Sequence, residues 1–562
     1  MKKRIVPVLA ALALIVVLAG IAVIGRLVEK YIPTDERLDA SEYFGITEEG
    51  QVPLIMQDEI AEEKGIMQDG LLYLDYRAVK DYLNDKFYWD STESLMLYTM
   101  PTELIRIPAN ETGITVGEES QNTENATVIT AGDNVYILAD YVQSCTNMEY
   151  QVYEEPTRAV IQYKWGTRQV SQMRRSESVR REGGVKSLIL TDLEKGDTVT
   201  VLDQMETWSQ VVTEDGYIGY VRNRTLGDVT EEEQVREFTE PEYTRIQKDY
   251  TINLVWHQVT SAESNAALET DIQDMTGVNT ISPTWFSVIG NDGSISSLAD
   301  STYVETAHQR GLEVWGLVDN FNTEVDITAV LSATTSRQNL ISQLIDQALQ
   351  YDLDGINVDF ETLPEESGEA YIEFIRELSI ECRNNSLVLS TDNTVPRDFS
   401  AHYDRAAQGE VVDYFIIMGY DEHYVGSEPG SVASLGFERE GIELTIEEGV
   451  PADKIISGVP FYTRLWMTSE SGEVTSEAIG MNQADETLEA NGVTSNWSEE
   501  TSQDYAEYYD SEGNFYQIWL ENENSLAEKA KLVPGYQLAG IAAWKLGFER
   551  SSIWEILSSN IS

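Results

Sequence analysis

Asp354-Gly355-Ile356-Asn357-Val358-Asp359-Phe360-Glu361 is the stretch that decides how the C-terminal part of this 562-residue chain folds. Read as a β-strand, it sends alternate side chains to opposite faces. Ile356, Val358 and Phe360 then share one face, and Asn357, Asp359 and Glu361 share the other. In a parallel barrel the apolar face packs beneath helices and the polar face points inward. Inward carboxylates are costly unless they are paired or at work, and at the C-terminal mouth of such a barrel strand-end polar residues usually do chemistry. Two acids this close push their pKa values apart, which lets one stay protonated near neutral pH as a general acid. The structural alternative is an acidic strand end without chemistry. A calcium loop at Asp352 and Asp354 lacks the glycine position and the later ligands of an EF-hand.

Working outward, apolar strands alternate with helical stretches from about residue 250 to the end. Asn253–His257, Thr280–Val288 and Leu312–Asp319 precede the quoted strand. Leu387–Thr391, Tyr414–Tyr420, Ile455–Phe461 and Gly540–Trp544 follow the strand Gly355–Phe360. Eight strands in this spacing predict an α/β fold, a (β/α)8 TIM barrel over 250–562 with an insertion at about 462–525. A doubly wound open sheet would usually carry a glycine-rich phosphate loop after its first strand, and none occurs.

Upstream, Leu193-Glu194-Lys195-Gly196-Asp197-Thr198-Val199-Thr200-Val201-Leu202, then Trp208 and Gly216-Tyr217-Ile218-Gly219-Tyr220-Val221, give short strands with regular turn signals. They predict a small all-β barrel over 178–229. Its order resembles bacterial Src-homology-3 domains, which implies contact with cell-wall peptides or a spacer role. Two further segments, Leu71–Val79 with Phe87–Tyr98 and Val135–Val142 with Tyr150–Tyr163, each read as strand, short helix and hairpin. This duplication predicts one α+β stalk domain over 66–175. It resembles the N-terminal module of copper amine oxidases, without any copper-ligand cluster. Residues 31–65, polar and acidic, are expected to be a linker.

At the N-terminus Lys2, Lys3 and Arg4 precede an apolar run from Ile5 to Gly25, about the ~20 residues that span a bilayer. Residues 1–30 are therefore expected to be a basic cytoplasmic tip and a transmembrane signal anchor, a single pass in the cell membrane with all that follows extracellular. Cleavage after Leu18-Ala19-Gly20 is the alternative.

Ninety-seven acidic residues against 38 basic ones give a net charge of −59, which excludes nucleic acid as a natural partner. Two cysteines, Cys145 and Cys382, cannot build a disulfide framework. Four histidines without metal-binding spacing predict no metal site.

The quoted strand resembles the DxxDxDxE signature of glycoside hydrolase family 18, the chitinase-like barrels, in its spore-cortex and germination-type subgroup. Further landmarks occur in family order. Ile417-Met418-Gly419-Tyr420-Asp421 is similar to the M-x-Y-D motif, Gly458–Tyr462 to the seventh-strand motif, and Gly540–Trp544 to the eighth strand. Val255–Gln258 and Ser282–Phe286 are similar to the subgroup's opening strands. The resemblance implies a retaining β-N-acetylglucosaminidase that needs no cofactor and uses the substrate's 2-acetamido group as nucleophile. Glu361 matches the proton donor, Asp359 and Tyr420 the groups that hold the acetamido group, and Asp354 the first, structural Asp. Asn357 stands where most of the family has the middle Asp, so Asp359 is expected to ionise more readily here than beside another carboxylate. Trp544, Asp421, Met418, Trp285 and Tyr462 are carried over as substrate-binding residues. Core packing is the structural alternative for Trp544, and a buried, satisfied hydroxyl for Tyr420. The implied partner is an N-acetylglucosamine-containing polysaccharide, with peptidoglycan favoured. Chitin oligosaccharides, or a non-catalytic wall-tethering role, are the alternatives.

Overall fold

The computed structural model describes residues 10–21 and 30–561. The chain divides into two compact units, one of residues through 87 with 107–114 and 120–240, the other of 88–106, 115–119 and 241–562.

In the second unit eight strands close into a parallel barrel. They are β1 (Ile252–His257), β2 (Thr280–Val288), β3 (Glu313–Asp319), β4 (Gly355–Asp359), β5 (Val388–Thr394), β6 (Tyr414–Met418), β7 (Ile455–Pro460) and β8 (Gly540–Trp544). Each pairs in parallel with its sequence neighbours, and β1 pairs with both β2 and β8 to close the ring. Strand alternation sorts the side chains as the sequence requires. Trp256, Trp315, Leu317, Tyr414 and Ile416 fill the interior. Ile356, Val358, Phe360, Leu389 and Phe415 face outward, against Leu340, Leu344, Phe374 and Leu378. Those four come from the helices Thr334–Tyr351 and Gly368–Asn384. Each such side chain, fully buried, contributes about 1.5–3 kcal/mol.

The insertion between β7 and β8 is a five-stranded antiparallel sheet over Tyr462–Leu520 with the helix Met481–Asn491. It has its own core of Ile479, Leu488, Ala506 and Ile518. A buried ammonium ties it to the helical layer. Lys529 Nζ lies 2.9 Å from Glu438 and 2.7 Å from Glu521, all three side chains being inaccessible to solvent.

The hairpin Phe87–Asp90 and Leu95–Thr99, expected in the stalk domain, instead belongs for the most part to the barrel unit. Ala333, at the N-cap of the helix Thr334–Tyr351, has no side chain with which to cap it. Asp90 does so from the hairpin: its carboxylate accepts from Thr334 N and Thr334 Oγ1, each at 2.6 Å. Thr99 Oγ1 donates to Glu373 Oε1 at 2.6 Å, and the Arg337 guanidinium stacks 4.9 Å from the Tyr88 ring. These polar partners, invisible in a strand pattern, decide where the hairpin goes.

In the first unit the expected linker is structured. Gln51–Met56 and Glu59–Gln68 are strands of a seven-stranded sheet that also holds the second hairpin, Glu149–Tyr153 with Arg158–Gln162. Leu54 pairs in parallel with Ala159. A second seven-stranded sheet over Gly166–Gln234 packs Val179, Val199, Val211 and Val221. It extends the predicted small barrel by one strand at each end, Gly166–Gln172 and Thr230–Gln234. Of the expected transmembrane run, Ile5–Gly25, residues 10–21 are described and helical, and the rest lies outside the described residues. Among the described residues no helix is long and apolar enough to cross a membrane.

Candidate active site

The inward side chains of β4 meet a layer of donors and acceptors inside the barrel. Asn357 is completely buried. Its Oδ1 accepts from Trp256 Nε1 on β1 and from Ser282 Oγ on β2, both at 3.0 Å. Its Nδ2 donates to Asp392 Oδ1 on β5 at 2.8 Å. Three neighbours thus fix which way the amide points, and one of its two N–H donors goes to Asp392, while Asp359 Oδ1 receives none.

Asp359, at the C-terminal end of β4, is 6% exposed. Its Oδ1 is buried with no hydrogen-bond partner. Glu361 lies two residues further on, partly exposed at the mouth, with its backbone clamped by Asn320. The Glu361 N–H donates to Asn320 Oδ1 and Asn320 Nδ2 donates to the Glu361 carbonyl, both at 2.9 Å. Tyr403 holds the other side of the turn, accepting from Leu363 N and donating to the Phe360 carbonyl, each at 3.1 Å.

The electrostatics follow from crowding carboxyls in a dry barrel. Burial raises the Asp359 pKa well above the carboxylate range, and Asp392, Glu361 and Asp319 push it further. Asp392 is pushed up to about 8, by burial and by Glu361, against the hydrogen bond from Asn357. Glu361 is also raised, by burial and then by the charges of Asp421 and Asp319. Such a group keeps its proton closer to neutrality, as a general acid must. Carboxyls this close titrate together.

Aromatic rings line the same mouth. Trp256, fully buried, meets Tyr420 edge-on at 6.5 Å and lies 6.1 Å from Trp544 at the end of β8. Tyr420 meets Tyr462 edge-on at 6.2 Å. Tyr462 OH donates to Asp421 Oδ1 at 2.7 Å, and Arg464 lies 3.8 Å from the same oxygen. Asp421 is exposed, in the left-handed region at φ +57°. Met418, the last residue of β6, is buried beneath them. Flat apolar rings with carboxyls at their edge can hold a sugar ring by stacking and bond its polar substituents.

Two of the expected site residues lie elsewhere. Asp354 precedes β4 and so sits at the opposite end of the barrel from Glu361, about 20 Å away along the strand. There it accepts from Val314 N at 2.8 Å and pairs with His308 Nε2 at 2.9 Å, which fixes the base of β3 against β4. Trp285 is 2% exposed. Its indole donates to Asn265 Oδ1 at 2.9 Å and meets Tyr303 edge-on, so it packs in the outer layer away from the mouth. Conversely, the expected site lacks Asp392, Asp319, Asn320 and the buried indole of Trp256. The signal for Asp392 was present: Ser390 and Asp392 alternate with apolar Leu389 as Asn357 and Asp359 do with Val358. The expected strand ends at Thr391, one residue before Asp392, whereas β5 runs on to Thr394. The expectation that Asp359 ionises more readily here than beside another carboxylate is overturned, because burial raises its pKa and β5 supplies a carboxyl, Asp392, that raises it further. Among the described residues no group of three or more His, Cys, Asp or Glu side chains is placed to hold a metal ion.

Comparison with known proteins gives the same reading of the barrel. The family model of glycosyl hydrolases family 18 matches residues 291–549, and that of the bacterial SH3 domain matches 178–227. A Bacillus subtilis (strain 168) protein named as a sporulation-specific glycosylase is 31% identical over 270 residues, 46% of this chain and 63% of that protein. The cortical fragment-lytic enzyme of the same organism is 29% identical over 241 residues, 42% of this chain and 56% of that one. The chain thus spans less than two thirds of the length of these two relatives. The crystal structure of the Bacillus cereus spore cortex-lytic enzyme SleL superposes with a TM-score of 0.51 at 21% identity, over 59% of this chain and 79% of that one, a likeness of fold. Residues 291–549 thus form a glycosyl hydrolases family 18 domain, and residues 178–227 upstream of it a bacterial SH3 domain.

Proposed function

We propose that the barrel is a retaining glycoside hydrolase that cleaves β-linked N-acetylglucosamine glycans, with the substrate's own acetamido group as nucleophile. The observation that carries this reading is the unsatisfied Oδ1 of buried Asp359 beside Glu361 at the barrel mouth. A buried acceptor without a donor is costly, and an acetamido N–H supplies the donor it lacks. Glu361 then protonates the glycosidic oxygen as the bond to the anomeric carbon breaks, and the acetamido oxygen closes on that carbon. Asp359 and Tyr420 hold the resulting oxazolinium ion. Water next attacks the same carbon while Glu361 takes back a proton, so configuration is retained. Trp544 forms the floor beneath the reacting sugar.

Peptidoglycan is favoured over chitin as substrate. The bacterial SH3 domain and a relative named for lysis of cortical fragments support this by analogy. A cell-membrane location, with the barrel outside and the SH3 domain touching wall peptides, belongs to the same reading. It rests on Lys2-Lys3-Arg4 before the apolar run. The test is digestion of purified peptidoglycan followed by mass spectrometry of the fragments. New reducing ends on N-acetylglucosamine support the reading, and an unchanged fragment pattern contradicts it.

A further inference from the structure

We infer that Asp392 on β5 is a positioning residue for this reaction, the partner that shares one proton with Asp359 and so sets the charge of the carboxyl facing the acetamido group. The inference rests on the proposed hydrolase reading and adds to it a residue from a neighbouring strand.

The geometry is specific. In the β4–β5 register Asn357 lies opposite Ser390 and Val358 opposite Thr391, so the next pair along is Asp359 and Asp392. Both point inward, since Asn357 bonds to groups inside the barrel and Val388 packs in the interior. Asp392 is 2% exposed, and its Oδ1 is held by the Asn357 amide at 2.8 Å. Trp256 and Ser282 hold the other end of that amide, and Asp359 Oδ1 receives no hydrogen bond from it. The groups facing this pair are Glu361 beyond β4, Asp319 at the end of β3, Tyr420 beyond β6, and Tyr371 and Tyr403 from the outer layer. Among the described residues, no Lys or Arg forms an ion pair with either carboxyl. Two anions side by side without a cation are strongly disfavoured, and one proton between them removes the repulsion.

The consequence for the reaction is directional. When an acetamido N–H donates to Asp359, that carboxyl must be the acceptor, so the shared proton resides on Asp392. When the site empties, the proton returns to the pair and no net charge is gained or lost. Asn357 and Asp392 thus form one unit, an amide on β4 and a carboxyl on β5.

That unit can be exchanged. In the double variant Asn357→Asp/Asp392→Asn, the new β4 carboxylate still accepts from Trp256 and Ser282 and also from the new β5 amide. The bonds from Trp256 and Ser282 and the bond between the two strands are kept, while the ionisable carboxyl moves from β5 to the inward position on β4 two residues before Asp359. The experiment measures kcat and KM against pH for the full chain on a soluble aryl β-glycoside of an N-acetylglucosamine oligosaccharide. It compares wild type, Asp392→Asn and the double variant, with thermal unfolding of each as a check on folding. Asp392→Asn is expected to lower kcat about 10- to 100-fold with a smaller change in KM, and to displace the alkaline limb of the pH profile. The double variant is expected to recover most of kcat. Two results overturn the inference: an Asp392→Asn profile that superimposes on wild type, or a folded double variant no better than Asp392→Asn. An inactive wild type, on this glycoside and on peptidoglycan alike, is instead a failure of the hydrolase reading itself.

Discussion

At the scale of single residues, the site is a contest between burial and charge. The Glu361 pKa is raised by burial and then by the negative charge of Asp421 and Asp319 beside it. Replacing Asp421 by Asn removes one of those charges while leaving an oxygen to accept from Tyr462. The proton then leaves Glu361 at lower pH, so the alkaline limb of kcat/KM should move to lower pH, by less than about one unit because Asp421 is exposed and screened. An unmoved limb would show that Asp421 does not act on the acid. What was legible here was the alternation of Asn357, Asp359 and Glu361, because side-chain direction follows from strand geometry alone. Trp285 was misplaced for the same reason that it was singled out. An aromatic residue on a barrel strand looks alike whether it faces the mouth or the helices, and only its bond to Asn265 decides the matter. Asp354 lies at the other end of the strand from Glu361, where it does structural work on β3, in keeping with the structural Asp that the resemblance implies.

At the scale of elements, the eight barrel strands were legible because parallel strands are buried on both faces and read as nearly unbroken apolar runs. Gln51–Met56 and Glu59–Gln68 were not. The second reads Glu-Ile-Ala-Glu-Glu-Lys-Gly-Ile-Met-Gln, a composition that becomes a strand only when neighbours on both sides pair with it. The hairpin around Asp90 and Thr99 was recognised as a hairpin and assigned to the wrong unit, because its destination is set by polar contacts with sequence-distant helices. Burial alone would raise the Asp90 pKa, but bonds from Thr334, Thr92 and Glu93 outweigh it and hold the carboxyl low. That stabilisation is present above the unfolded pKa of about 3.9 and is lost as pH falls through the lower folded value. Asp90→Ala should therefore cost about 1–2 kcal/mol, the usual worth of a helix N-cap. The cost should be read as lower thermal stability of the barrel unit at neutral pH, and the difference from wild type should shrink under acid. A variant as stable as wild type at pH 7 would remove the cap from the account.

At the scale of the whole molecule, the chain joins an SH3-bearing unit and a barrel unit behind an apolar N-terminal run. A net charge of −59 keeps such a chain soluble and repels nucleic acid and anionic lipid surfaces. The proposed attachment to a membrane therefore rests on the apolar run and not on surface charge. The full chain should sediment with membranes and be released by detergent but not by salt, whereas recovery of a shortened chain in the medium would contradict the anchor. The order of domains was readable from turn signals and apolar runs, while the path of the chain between the two units was not, since it depends on pairings between distant segments. The account as a whole turns on one proton. Glu361→Gln keeps the size and shape of the side chain and removes the group proposed to protonate the glycosidic oxygen, a contribution of roughly 10²–10⁴-fold in rate. Release of new reducing ends from purified peptidoglycan, measured for wild type and Glu361→Gln at equal concentration, tests this most directly. The account predicts steady release by wild type and a loss of at least about 100-fold in a variant with unchanged thermal unfolding; equal release by the two proteins would contradict it.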